Sequence, residues 1–546
     1  MGEKMILDIT DISDEGSGVG KSDGITVFTD SGIPMDKLEV EITNKKKNYM
    51  QAKTKRIIKK SPLREDEKIC EIQDICGGCS LLDMKYEEQV KYKKNMVVQK
   101  LMRIGKIENP PVRDVVGMQE PFHYRNKTQM PVALENGEIK IGFYKKKTHD
   151  IIPFKTCKIQ DTINDRIIEI VKRYVNAVNL HIYDEKTHTG VLRHIITKIS
   201  HNFGEIMLIL VTNSDKKTDV GFLVKEFEKA DIPVTSIIQN INKKDTNVIL
   251  GEKNRTLFGK DFIKDKIEDL TFNIYPNSFY QVNSLQMEKM YQKAIEYSGV
   301  KNTDVVYDLY CGIGTISLLF AKRAAKVYGI EVVSQAIKSA DENKEQNGIK
   351  NASFICGKVE DKISDLVQNS QKPDIVLLDP ARKGCEQSVL EKIVETSPRK
   401  IVYISCNPST LARDLQIILA SGKYKLDEIT PFDLFCNTMH VETVALLCRK
   451  DIDNHIEVKL ELDEEDVTKA ESKGTYENIK EYILGKYGFK VSTLYIAQIK
   501  RKCGLEVGEH YNKSKKDNPV VPECPKEKED AIMDALKHFG MIVQEG

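Results

Sequence analysis

At 546 residues, with 40% hydrophobic and 30% charged side chains, the chain is too long for one core and reads as a globular protein of about three or four domains. A formal net charge of +1 announces no nucleic-acid partner globally, and no apolar run is long enough to span a bilayer. The start, MGEKMILDIT, lacks a signal-peptide core, and Ile6 stands where N-myristoylation would need Ser or Thr. A cytoplasmic protein is expected, in which twelve cysteines serve as metal ligands, catalytic groups or buried side chains rather than disulfides.

Residues 1–60 alternate short apolar strands (ILDITDI, GITVFTD, KLEVEITN) with Gly-rich turns, the pattern of a small β-barrel. The run at residues 43–60, TNKKKNYMQAKTKRIIKK, carries eight Lys/Arg and no acid, a solvated basic face or a phosphate-binding strip. Residues 61–275 form a second region. It opens with Cys70, Cys76 and Cys79, spaced C-x5-C-x2-C, followed by an amphipathic helix over residues 86–105 that ends at glycine. Strands dominate from about residue 112 to 271, mixed with helices such as TINDRIIEIVKRYVNAV. Here lie the basic-aromatic pieces HYRNKTQMPV and GFYKKKTH, and a further cysteine, Cys157. Four thiolates in this region suit either a [4Fe–4S] cluster or a structural zinc ion, and spacing does not separate the two.

Residues 276–450 form a third region, in which from residue 305 to about 450 strand and helix alternate: VVYDLY, KVYGIE, DIVLLDP and KIVYISC are apolar runs with helical stretches between them. That is a doubly wound parallel sheet. YKLDEITPFDLF and VETVALLCRK read as a closing antiparallel pair. Residues 451–475 form a charged linker, and residues 476–546 a compact helical extension. In the extension, helix, glycine turn and helix follow one another, with Ser492 as N-cap and Lys500, Arg501 and Lys502 in a last turn. This resembles a helix-turn-helix, and a docked helical hairpin fits as well.

Chemistry concentrates at the strand ends. In DLYCGIGTISLLFA, Gly312 and Gly314 let the backbone approach a ligand at a helix start, and Glu331 ends the next strand, placed to accept bonds from ribose hydroxyls. A single GxG favours S-adenosylmethionine (SAM) over a dinucleotide. Asp379, Cys406 and Glu442 then come from neighbouring strand ends on one sheet edge. A thiolate, a carboxylate and a methyl donor together suggest methylation of uracil C5. Thiolate addition at C6 makes C5 nucleophilic, and a base must later remove the C5 proton.

SFYQVN, DLYCGIGT, LLDPAR, SCNPSTLARD and TMHVET together resemble the RNA uracil-5-methyltransferase family, over about residues 5–450. The resemblance implies an α/β, Rossmann-like class I SAM methyltransferase domain behind an N-terminal OB-like TRAM barrel and an α+β central RNA-binding region. It implies SAM contacts from Gln281, Tyr310, Gly312, Gly314, Thr315, Glu331 and Asp379, with Cys406 as nucleophile and Glu442 as base. It implies a [4Fe–4S] cluster on Cys70, Cys76, Cys79 and Cys157, and with it 23S ribosomal RNA as substrate. Phe279, Arg125, Lys127 and Arg382 are candidate RNA contacts, the target being an unstacked or loop uridine. A monomer without membrane contact is expected. Two departures stand out: Cys436-Asn437 replaces a common Pro-His, and Thr315 replaces an Asn found in some members. The alternatives are the same chemistry on transfer RNA, or an RNA-binding assembly factor without turnover. A DNA cytosine methyltransferase fits less well, since Ser405 rather than proline precedes Cys406.

Overall fold

The computed structural model describes residues 3–450, 476–503, 505, 524–539 and 541. Residues 1–449 form one compact unit and residues 450–546 a second. Among the described residues no helix is long and apolar enough to cross a membrane.

The N-terminal strands Lys4–Ile12, Gly18–Ser22, Ile25–Thr29, Lys37–Lys45 and Tyr49–Lys59 close into a five-stranded barrel. Alternation does the work: Leu7, Ile9, Val27, Leu38, Val40, Met50 and Ala52 point inward. The lysine-rich run therefore contains a strand of its own, with Met50 and Ala52 inside and its cationic residues outside.

The central region is a seven-stranded sheet with helices Ile163–Ala177 and Gly221–Lys229. Its strand Leu192–Ser200 is buried at every position. The reason is that both faces are covered: Ile195, Leu208 and Leu210 pack with the two helices. Ile196, Met207 and Ile209 instead join the core that includes Val306, Leu377 and Val402 of the next sheet. The antiparallel hairpin of Ile263–Ile267 and Leu270–Ile274 joins the same cluster, so the central region and the C-terminal sheet share one core.

Helix α1 (Tyr86–Arg103) buries Gln89, Lys93, Val97 and Leu101, one stripe at every fourth residue. Two polar side chains in that stripe are paid for by partners: Gln89 bonds Met84 O and Asn437 Oδ1, and Lys93 Nζ lies 2.5 Å from Asp433 Oδ1 and 3.1 Å from Phe435 O. Gly105, just past the helix, permits close approach, because a Cβ there would sit 3.0 Å from Ala412 O.

The last sheet is preceded by α2 (Ser284–Ser298) and runs β1 (Val305–Asp308), α3 (Thr315–Ala321), β2 (Lys326–Glu331), α4 (Ser334–Gln346), β3 (Ala352–Cys356), α5 (Val359–Asn369), β4 (Ile375–Leu378), α6 (Gln387–Thr396), β5 (Lys400–Ser405), α7 (Pro408–Ala420), β6 (Tyr424–Phe432) and β7 (Glu442–Arg449). The strand order is 3-2-1-4-5-7-6, parallel except for β7, which runs antiparallel to both its neighbours. The order reverses between β1 and β4, and in such sheets the ligand crevice lies outside the carboxyl ends at that point. The doubly wound sheet and closing antiparallel pair expected from sequence are both present.

In the second unit, α8 (Tyr476–Tyr487) and α9 (Thr493–Lys502) flank a turn at Gly488, whose φ is +74°, and Ser492 caps α9 through a bond from Tyr495 N. Helix α10 (Lys526–His538) completes a core of Ile479, Ile483, Ile496, Ile532 and Leu536. The expected linker, residues 451–475, lies outside the described residues.

Lys93 and Asp433 are both fully buried. Removing one partner strands the other charge, so Lys93→Ala is expected to lower unfolding stability by about 3–5 kcal/mol. The pair Lys93→Met with Asp433→Leu should recover most of that. Urea midpoints of the two variants test this, and equal losses in both would contradict it.

Candidate active site

Register decides the centre of the site. In the antiparallel β5–β7 ladder Ser405 faces Thr443, so the next pair outward is Cys406 and Glu442. Cys406 is the first residue past β5. Asn407 then caps α7 by accepting from Ser409 N at 3.0 Å, with Pro408 at the first helical position. The cap also ties in the loop after β4: Asn407 Nδ2 and Thr410 Oγ1 both donate to the Arg382 carbonyl.

These groups open onto a cavity of about 720 Å³. Asp379, Arg382, Cys406 and Glu442 line one part of it. Tyr310, Gly312, Thr315 and Glu331 line another, and Phe279 and Gln281 reach in from the segment before α2. Gly312 has a φ of +53° with open space where a Cβ would be, so its backbone faces the cavity bare. Gly314 does not line the cavity. It is the left-handed cap of α3, and a Cβ there would press on the Phe354 ring at 3.0 Å. Glu331 is already oriented, accepting from Gly312 N at 3.3 Å and Val333 N at 2.9 Å. Phe279 is 69% exposed, a large apolar ring at the cavity lip.

The electrostatics follow from crowding three acidic groups into a dry site. Burial, then the neighbouring Asp379, push Glu442 up to about 8. Burial and Asp308 push Asp379 up to about 7. Burial, Glu442 and Asp379 together push the Cys406 thiol up to about 11. The one group that opposes this for both Cys406 and Glu442 is the Arg382 guanidinium. Arg382 lies 3.1 Å from His440 Nε2, and burial with the nearby cations holds His440 down at about 4, hence neutral.

The chain is similar to known proteins. A family model described as tRNA (uracil-5-)-methyltransferase matches residues 85–450. A protein of Clostridium acetobutylicum described as an uncharacterized RNA methyltransferase is 44% identical over 449 residues, 81% of this chain and 96% of the relative. One from Caldanaerobacter subterraneus, described likewise, is 43% identical over 82% of this chain and 99% of its own length. The chain belongs to the tRNA (uracil-5-)-methyltransferase family. It is a SAM-dependent RNA methyltransferase. Among solved structures, the Pyrococcus abyssi tRNA (uracil-54, C5)-methyltransferase in complex with S-adenosyl-L-homocysteine is 28% identical. It aligns over 81% of this chain and all of that one, with a TM-score of 0.66. The family match ends where the helical extension's unit begins.

Against this family background the two departures acquire physical roles. Cys436 is fully buried beside the Tyr86 hydroxyl, at 3.6 Å. Asn437 takes a left-handed φ of +66°, which Asn tolerates, and its side chain bonds Gln89 and the Pro121 carbonyl. Thr315 Oγ1 lies 3.4 Å from the Tyr291 hydroxyl, a cavity residue that sequence reading missed because its spacing in α2 looks like core. Phe435 and His440 also line the cavity; Phe435 adjoins Cys436-Asn437 and His440 lies within TMHVET, but sequence alone gives neither a role.

The basic-aromatic piece at residues 123–127 is partly turned inward, with His123 exposed. Tyr124 and Asn126 are buried, Arg125 lines a second cavity, and Lys127 lies in a small pocket with Lys198 and Tyr280. Neither Arg125 nor Lys127 lines the catalytic cavity. The second cavity, about 260 Å³, is ringed by Cys70, Cys76, Cys79 and Cys157. Among the described residues no three His, Cys, Asp or Glu side chains come close enough to hold a single metal ion. Within that ring Gly78 N donates to Cys76 Sγ at 3.3 Å.

Glu442 titrates at about 8 in the folded protein against an ordinary 4.5. Between those values the folded chain keeps a proton that the unfolded chain sheds, so stability falls as pH rises through that window. Glu442→Gln should therefore be more stable than the parent at about pH 9, by on the order of a few kcal/mol, with the difference closing below about pH 4. Denaturant midpoints at the two pH values check this, and a gap of the same size at both would contradict the burial account.

Proposed function

We propose that this enzyme forms 5-methyluridine in RNA, with 23S ribosomal RNA as substrate, and that Cys406 and Glu442 carry the chemistry. The observation that supports it most is the β5–β7 register, which sets the thiol and a buried carboxyl opposite each other on one cavity wall.

Cys406 adds as thiolate to uracil C6, forming a C–S bond and moving electron density to C5. Arg382 favours the thiolate, since its charge lowers the thiol's proton affinity. SAM supplies, when bound, an electrophilic methyl group on a sulfonium whose positive charge favours the carboxylate forms of Asp379 and Glu442. Gln281, Tyr310, Gly312, Thr315, Glu331 and Asp379 hold it, with Gly314 shaping the turn. Phe279 stacks on the extruded base from the cavity lip. After methylation Glu442 removes the C5 proton, the C5–C6 double bond re-forms and the C–S bond breaks, freeing Cys406.

Cys70, Cys76, Cys79 and Cys157 would hold a [4Fe–4S] cluster, which supplies a rigid cross-link and no step of methyl transfer. The cysteine set supports 23S ribosomal RNA through the family resemblance. Transfer RNA is the second reading, favoured by the solved relative, a tRNA (uracil-54, C5)-methyltransferase. The barrel's basic strand is proposed to contact RNA phosphates, and the helical extension to aid docking on RNA or a ribosomal particle.

RNA containing 5-fluorouridine tests the assignment, because fluorine at C5 cannot leave as a proton. With SAM, 23S fragments should trap a protein–RNA adduct that Cys406→Ala abolishes. Trapping of transfer RNA alone would overturn the substrate, and no trapping of either would overturn the reaction. With ordinary RNA, Glu442→Gln should accumulate a methylated adduct and turn over at least about 100-fold more slowly.

A further inference from the structure

In sequence, none of the four cysteines lies near the catalytic strand ends. Through hydrogen bonds, two of them connect to segments that line the catalytic cavity. Cys79 is followed by Ser80 and Leu81. Ser80 Oγ accepts from Met439 N at 2.9 Å, and Leu81 N donates to Asn437 O at 3.0 Å. That loop runs directly into His440 and Glu442, both cavity residues. The barrel backs Ser80 from the other side: Gly16 has a φ of +79°, and a Cβ there would come within 2.5 Å of Ser80 Cβ.

Cys157 leads to the other wall. The residues after it pair with the 123–125 segment, His123 N bonding Lys158 O at 2.8 Å and Arg125 N bonding Ile159 O at 3.0 Å. The next residue, Asn126, donates its side-chain amide to Gln281 O and to Ser284 Oγ, each at 2.9 Å, and its backbone N–H to Val282 O at 2.8 Å. Gln281 lines the cavity, and Phe279 lies two residues before it.

The two paths meet. Tyr124, Ile159 and Cys436 form one buried cluster against which Cys79 and Cys157 both pack, and the Tyr124 hydroxyl donates to Cys436 O at 3.0 Å. Residues 61–85, which carry three of the four cysteines, contain no helix or ladder strand. Individual hydrogen bonds contribute only about 1 kcal/mol each. A segment without regular structure needs a further cross-link to hold its neighbours to a fraction of an ångström, and tying Cys70, Cys76 and Cys79 to Cys157 supplies it.

We propose that Ser80 and Asn126 are positioning residues through which the four-cysteine centre holds the two walls of the catalytic cavity, Ser80 the 437–442 wall and Asn126 the 279–284 wall. The proposal rests on the reading of these cysteines as an iron–sulfur site. It makes the centre a structural part of the active site.

The test compares protein purified anaerobically with its iron, the same protein stripped by an iron chelator, and iron-loaded Ser80→Ala, Ser80→Thr and Asn126→Ala variants. Iron content is measured first, then amide hydrogen exchange, S-adenosylhomocysteine binding and the rate of adduct formation with 5-fluorouridine RNA. Stripping should raise exchange in 279–284 and 437–442 together, leave β1 protected, and weaken S-adenosylhomocysteine binding about tenfold. Ser80→Ala should keep its iron, raise exchange only in 437–442 and slow adduct formation about tenfold, with Ser80→Thr restoring both. Asn126→Ala should do the same for 279–284 alone. Unchanged exchange in both segments after stripping, or in both alanine variants, overturns the proposal. Absence of iron in the anaerobic protein overturns the iron–sulfur reading beneath it. Absence of adduct in the parent overturns the proposed reaction, and the exchange comparison then decides the positioning role by itself.

Discussion

The site depends on one constraint, the insertion of β7 antiparallel between β5 and β6. A wholly parallel sheet would present every strand's carboxyl end to the crevice. Running β7 the other way presents its first residue there instead, so a side chain that opens one strand meets a side chain that closes another. That is how Glu442 comes to face Cys406. Shifting the ladder by one residue would turn Glu442 to the other face of the sheet and replace it with a β-branched neighbour. The buried strand interiors fix the register, with Ile401, Tyr403 and Ala445 in one core and Val402, Ile404, Val444 and Leu446 in the other.

Burial that fixes the register also sets the chemistry. Burial on one wall pushes Asp379 up to about 7, Glu442 to about 8 and the Cys406 thiol to about 11, so each holds its proton to a higher pH than it would in water. The Arg382 guanidinium faces them, beside a neutral His440. A positive charge entering the cavity would favour the ionised forms of all three.

Much of this was legible in the sequence, for identifiable reasons. Apolar runs ending in Gly, Asp-Pro or Cys-Asn-Pro locate strand ends, and strand ends of an open parallel sheet are where ligands bind. Thus Gln281, Tyr310, Gly312, Thr315, Glu331, Asp379, Cys406 and Glu442, named from motifs, all line one cavity. What was not legible depends on contacts between distant segments. Lys93 and Gln89 look like the wet face of α1, yet both are buried because Asp433, Phe435 and Asn437 arrive from far along the chain to satisfy them. Tyr124 and Asn126 look like an RNA-facing strip for the same reason, since nothing local reveals that the 157–160 and 281–284 segments will cover them. The proximity of Cys79 to the loop before Glu442 is likewise a tertiary fact.

The central claim is that C5 of a uridine exchanges its hydrogen for a methyl group while Cys406 is bonded to C6. RNA carrying tritium at uridine C5, incubated with SAM bearing a carbon-labelled methyl group, reads this directly. The account predicts one tritium released to water for each methyl incorporated, with both signals absent in Cys406→Ala. Methyl incorporation without tritium release, or methylation that survives loss of the thiol, would contradict it.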